Sequence, residues 1–214
     1  MLRYAFTLAV VCLTLAPALA AQEPPIAFEA DSGSDAVTGT ADLFLGLTTT
    51  DDFHPLGIVS VTWRRFRVEG RYNYEDDRTG SLFAGYEFEL GDRPALWVAP
   101  MVGAVVGNTD GIAPAVELEL TLGRFTLYDE SEVVLTFGEG VDDFLYSWGT
   151  ATYEVRSWLR PGLAFQRLRV FGSDRELDPG LVVQSDVGPL ELSLYGFNPF
   201  DSDRFFQLGM SVSF

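Results

Sequence analysis

Ionisable residues recur at every second position in four stretches of this 214-residue chain: Arg67, Glu69 and Arg71; Glu87 and Glu89; Glu117 and Glu119; Glu130 and Glu132. A spacing of two carries side chains to one face of an extended strand, so each stretch aligns its charges. Guanidinium and carboxylate groups at that spacing form bidentate, charge-assisted hydrogen bonds. The chemistry they predict is ion pairing in a confined space with carboxylate in surplus. Catalysis is not expected. The single histidine, His54, has Asp52 and Leu56 two positions to either side, and a nucleophile needs a base within hydrogen-bond reach. There is no HExxH motif and no phosphate-cradling glycine loop, so neither a cofactor nor a metal centre is expected. The loop pairs Asp51-Asp52, Asp76-Asp77 and Asp142-Asp143 lack the EF-hand spacing and read as solvated loop tips.

The elements that position these charges are strands. From Thr38 onward the chain divides into about twelve alternating segments, near 38-48, 56-63, 66-75, 80-90, 94-107, 112-122, 124-135, 144-155, 158-171, 178-187, 189-198 and 203-214. Their joints are alternately short and long. Phe66, Val68, Gly70, Tyr72 and Tyr74 oppose Arg67, Glu69, Arg71, Asn73 and Glu75, while Val116, Leu118, Leu120 and Leu122 oppose Glu117, Glu119 and Thr121. An even strand count, tight turns at one end and longer loops at the other predict an all-β fold: a closed, antiparallel, up-and-down transmembrane β-barrel of about 12 strands, with 10 or 8 as alternatives. Closure removes the sheet edges that lipid cannot satisfy. Aromatics on the apolar face, among them Trp63, Tyr72, Tyr74, Tyr86, Phe88, Phe125 and Phe214, fall near strand ends at the expected headgroup level. Pro100 lacks a ladder donor and predicts a bulge. Arg167 and Arg169 share the parity of Leu163 and Phe165, so either a bulge turns that strand or both guanidiniums reach the outer rim.

The last twelve residues, DRFFQLGMSVSF, alternate in the same way and end on an aromatic. Gln207, Gly209, Val212 and Phe214 resemble the closing-strand signal of bacterial outer-membrane β-barrel proteins, which implies recognition by the barrel assembly machinery as well as a strand. RYNYE at 71-75, GSLFAGYEF at 80-88, NTDGIAP at 108-114 and FNP at 197-199 are similar to stretches of a functionally uncharacterised group of small outer-membrane barrels. That resemblance implies fold and location and brings no activity with it.

The opening residues support export. Arg3, the apolar run from Ala5 to Leu15 and the small-residue site at Ala18 to Ala20 read as a signal peptide over 1-20. Residues 21-36 read as a flexible periplasmic leader and 37-214 as the barrel. The single cysteine, Cys12, falls inside the signal, so the mature chain has no thiol chemistry. A formal net charge of -17 excludes nucleic acid as a partner, because that binding rests on neutralising phosphates.

On the polar parity, eleven carboxylates (Asp42, Glu69, Glu87, Glu89, Glu117, Glu119, Glu130, Glu132, Glu154, Asp186 and Glu191) meet three guanidiniums (Arg67, Arg71 and Arg160). A barrel interior cannot hold that many ions dry. Arg67 and Arg71 stand on a strand whose hairpin partner carries Glu87 and Glu89, so a lattice of bidentate Arg-carboxylate pairs across the bore is expected. The function expected is a narrow pore, or a plugged structural barrel, for small non-anionic solutes, with outer-membrane lipid as surroundings. Two alternatives remain: a closed barrel whose external loops bind a partner or lipid, and a soluble periplasmic lipid-binding calyx.

Overall fold

The computed structural model describes residues 37–47, 53–91, 95–138, 142–171 and 175–214. The signal peptide and leader expected at 1-36 lie outside the described residues. The strands are Val37–Leu47 (β1), Phe53–Trp63 (β2), Phe66–Tyr72 (β3), Gly80–Tyr86 (β4), Phe88–Leu90 (β5), Ala95–Val106 (β6) and Gly111–Leu122 (β7). They continue through Phe125–Thr136 (β8), Phe144–Tyr153 (β9), Leu159–Val170 (β10), Arg175–Val187 (β11), Leu190–Phe197 (β12) and Phe205–Ser213 (β13). Sequential strands pair antiparallel, β1 also pairs with β13, and β4 and β5 both pair with β6. The sheet therefore joins onto itself as a barrel of twelve staves, with β4 and β5 forming one interrupted stave.

Pro100 accounts for that interruption, by a different route from the expected bulge. Gly85 faces Met101 in β4, and Phe88 faces Val98 in β5, so the register across the break is unchanged and no residue has been inserted. A missing N–H on β6 costs one ladder step without displacing the next. β10 likewise pairs with β11 in one continuous register from Leu159 to Arg169, so Arg167 and Arg169 keep the outward parity of Leu163, toward the long-loop end of the strand.

Tight joints carry left-handed backbone where the hairpin twist requires it: Arg64 (φ 60), Gly91 (φ 74), Gly123 (φ 67) and Gly188 (φ 63) all lie in short turns at the end where the described chain begins and ends. The long joints lie at the opposite end. His54, which falls between the expected segments 38-48 and 56-63, lies within β2.

Outward positions are mostly apolar. Leu82, Leu163, Leu181 and Leu194 are each more than half exposed, as a surface that meets lipid hydrocarbon requires and a soluble calyx does not. Glycines on the strands make room for cross-strand aromatics. A side chain at Gly103 would collide with the Phe83 ring, and one at Gly209 with Phe44 and the Ser193 hydroxyl. Gly39 exchanges backbone hydrogen bonds with Phe214 at 2.8 and 2.9 Å, and the Phe214 ring lies across it. The terminal aromatic thus closes the last ladder step between β13 and β1.

Candidate functional site in the bore

Inward positions build three regions of the bore. Toward the long loops, Phe83, Met101, Val105, Ala113, Val134 and Phe144 pack into an apolar cluster. A second cluster centres on Tyr195 and Phe197, with Phe44, Trp148 and Phe205 packed against it. Phe197 and Phe205 stack with ring centroids 4.8 Å apart, and Trp148 meets Tyr195 edge-on at 5.5 Å. Toward the short turns the bore opens into a cavity of about 710 Å³ whose walls include Asp42, Glu119, Thr126, Glu154, Arg160 and Glu191.

Between them lies the charged cluster. β7 and β8 pair so that Glu117 stands directly opposite Glu130; like charges at that spacing repel unless something neutralises them. The neutralising groups come from β3. Arg71 Nη1 reaches Glu130 Oε1 at 2.6 Å and Glu132 Oε2 at 3.2 Å, and its Nη2 lies 3.6 Å from Glu117 Oε1. Arg71 Nε donates to Glu69 Oε1 at 2.7 Å. Arg67 bonds Glu69, donates to Glu87 Oε1 at 3.2 Å and lies 3.3 Å from Glu117 Oε2. Thr62 Oγ1 also donates to Glu87, at 2.9 Å. Aromatic faces hold the Arg71 guanidinium in plane, with Tyr74 at 4.5 Å and Phe83 at 4.2 Å.

The structure thus brings together Arg67, Glu69, Arg71, Glu87, Glu117, Glu130 and Glu132. Glu89 and Glu119 stand apart. Glu89 faces Trp97 across the β5–β6 ladder, and Glu119 lines the open cavity, where Thr121 Oγ1 donates to it at 3.5 Å. Arg67 reaches Glu87 on its own hairpin, while Arg71 takes its partners from β7 and β8, because β3 and the β7–β8 pair face each other over the barrel interior.

Tyr74 departs from the expected parity. Expected at the lipid surface, it lines the cavity and packs edge-on to Tyr146 with centroids 5.1 Å apart. The cause is local: Asn73, just past β3, takes a left-handed backbone (φ 56), which breaks the period of two and turns the next side chain inward. The asparagine tolerates this conformation, and its Nδ2 donates to the Pro55 carbonyl at 3.0 Å. An Asn-Tyr pair at a strand end was the sequence signal for it. A separate ion pair sits near the short-turn end, where Arg160 grips Asp186 with two bonds of 2.8 Å and Glu191 with one of 2.6 Å.

Asp129, Ser131 and Ser147 form a polar group on the outer, lipid-facing parity. Ser131 Oγ donates to Asp129 at 2.9 Å, and the two serine hydroxyls are 2.8 Å apart. The two hydroxyls satisfy the carboxylate locally.

No protein-family model matches the sequence, and no curated protein matches it. Solved structures do match in fold. The KdgM porin aligns with a TM-score of 0.62 at 9% identity, covering 82% of this chain and 99% of that one. The KdgM porin in complex with disordered oligogalacturonate aligns with a TM-score of 0.61 at 10% identity, over 82% and 99% of the two chains. The Acinetobacter baumannii outer membrane protein Omp33 aligns with a TM-score of 0.46 at 12% identity, over 86% and 100%. In fold the chain is a closed, antiparallel, twelve-strand β-barrel, resembling the KdgM porin.

Proposed function

We propose that the protein resides in the bacterial outer membrane, its short turns in the periplasm and its long loops outside, and passes small cations and neutral solutes through a narrow bore. Export by the signal peptide over 1-20 and insertion through Gln207, Gly209, Val212 and Phe214 by the barrel assembly machinery belong to this reading. No catalytic step is part of it.

The observation that carries the reading is the charge of the water-accessible wall. Asp42, Glu119, Glu154 and Glu191 line the cavity, and at the bottom of it five glutamates face two arginines. Fixed negative charge around a narrow water path raises the local cation concentration and repels anions. The KdgM porin complex holds an anionic oligosaccharide; this wall is unsuited to such a solute, so the shared fold carries a different selectivity here. The bulk of Trp97, Tyr128, Tyr146 and Trp148 in the same wall limits passage to small solutes.

Purified barrel in planar bilayers tests the proposal. Small, cation-selective current steps are expected, with selectivity reduced in Glu117→Gln/Glu119→Gln. The packed long-loop half favours a second reading, a closed structural barrel, and an insulating bilayer containing correctly inserted protein would establish that one instead.

A further inference from the structure

We infer that the turn of Arg64 and Arg65, at the short-turn end of the barrel, is a binding site for the phosphate group of an anionic phospholipid; this rests on the proposed membrane setting. Backbone strain marks the turn. Three hairpins close through two-residue turns, between Trp63 and Phe66, Leu122 and Phe125, and Val187 and Leu190. In each, the first turn residue is left-handed, with φ 60 at Arg64, 67 at Gly123 and 63 at Gly188. Glycine adopts that conformation without steric cost, whereas a residue with a Cβ is strained in it. The barrel thus keeps an arginine where its two equivalent turns use glycine, and a strained residue at an exposed turn points to a role outside folding.

The neighbours of the turn give that role its chemistry. Arg64 Cζ lies 4.8 Å from the centroid of the Trp63 ring. Trp63 and Phe66 stand opposite each other, each about half exposed, and Trp63 shares its outward parity with the exposed Val59 and Val61. The Arg64 guanidinium is therefore held against an outward ring at the edge of the apolar band, the level at which lipid headgroups lie. Arg65 follows directly, its carbonyl accepting from the Glu87 N–H at 2.8 Å. Among the described residues no carboxylate forms an ion pair with Arg65, and the nearby Glu87 carboxylate is taken by Arg67 and Thr62. A phosphodiester supplies the oxygens that guanidiniums grip, and its acyl chains have the rings and valines to lie along. Charge complementarity favours this end of the barrel: Arg124 and Arg156 lie at other short turns, whereas Asp76, Asp77, Asp110 and Asp143 lie at the long-loop end.

Quenching by brominated lipid tests the site in the folded barrel inserted in phosphatidylcholine vesicles that contain phosphatidylglycerol. The Trp63 signal, read as the fluorescence that Trp63→Phe removes, should report a relative affinity about fivefold in favour of phosphatidylglycerol. Arg64→Gly/Arg65→Gln should bring that ratio to one. The same variant should unfold from phosphatidylcholine vesicles at a denaturant concentration no lower than wild type, because glycine relieves the turn. Arg65→Gln, which leaves the strained residue in place, should lower the ratio by itself. Equal quenching by the two lipids in the inserted wild-type barrel, or a preference that survives in the double variant, overturns the site. A lower unfolding midpoint for the double variant makes the arginines structural and overturns it too, and a preference abolished by inorganic phosphate assigns the turn to free phosphate instead of lipid. A barrel that enters neither kind of vesicle overturns the site together with the membrane reading, whereas an inserted, insulating barrel that keeps the lipid preference removes only the pore.

Discussion

Arg71 on β3 and Glu130 on β8 meet at 2.6 Å although β4, β6 and β7 separate their strands in the sheet. The contact is a chord across the barrel, and it ties together two walls that backbone pairing leaves apart. Arg71 has no exposed side-chain surface, so its charge is worth most to the carboxylates around it and is most costly to lose.

Replacing Arg71 by alanine therefore leaves Glu69, Glu117, Glu130 and Glu132 without their shared cation. A loss of about 3–5 kcal/mol is expected, measured as unfolding by denaturant in lipid vesicles. Arg71→Met with Glu130→Gln and Glu132→Gln should recover much of it, since the charges are then removed together. A barrel indifferent to Arg71→Ala would mean that the carboxylates are neutralised by other means.

Phe214 and Gly209 test the closing ladder. Phe214→Ser strips the ring from Gly39, and Gly209→Val drives a side chain into Phe44. Both should lower the fraction of heat-modifiable, membrane-inserted barrel in cells, Gly209→Val also in refolding without assembly machinery. Phe214→Ser should refold in vitro more nearly like wild type, because in the proposed reading the terminal residue serves recognition by the assembly machinery as well as packing. Equal defects in both settings would make its role purely structural.

Asp129 lies on the outer face of the barrel among Leu118, Gly149 and the serines Ser131 and Ser147. Asp129→Leu should stabilise the inserted barrel by about 1 kcal/mol, since a lipid-facing acid near mid-strand opposes insertion. Vesicle unfolding of the pair of proteins gives the number. Destabilisation instead would show that the carboxylate is needed on that face.

Glu75 lies in the external turn after β3, where Ser81 Oγ donates to it at 2.5 Å. Burial raises its pKa, outweighing the hydroxyl and the Arg71 charge, which act to lower it. A carboxyl whose folded pKa is raised costs stability once it ionises, so the penalty grows as pH climbs above the ordinary carboxylate range and is absent in acid. Glu75→Gln should therefore stabilise the barrel at neutral pH and flatten this part of the pH profile. Unfolding curves at pH 4 and pH 8 for both proteins would reveal the difference; an unchanged profile would place Glu75 in water.

Strand class, closure and the inward set were legible because a period of two is strictly local. Each of Glu117, Glu119, Glu130 and Glu132 announces its side by its neighbours alone, and the glycines and prolines mark the joints. Distances across the bore are not local. Which wall Arg71 reaches depends on how far the register climbs around the closed sheet, and no single hairpin contains that information. Tyr74 escapes a reading by alternation because one left-handed residue, Asn73, cancels the period of two. Asp129 was legible in principle: an acid on the same parity as Leu127 and Val133 contradicts an all-oily lipid face, and its serine partners lie one strand away or two positions along.

In the proposed reading a carboxylate-rich wall governs what enters the bore. Reversal potential across a planar bilayer holding the inserted protein, under a tenfold KCl gradient, reads this directly. The potential is expected to lie on the potassium side of zero and to move toward zero in Glu117→Gln/Glu119→Gln. A potential on the chloride side would mean that the wall does not favour cations.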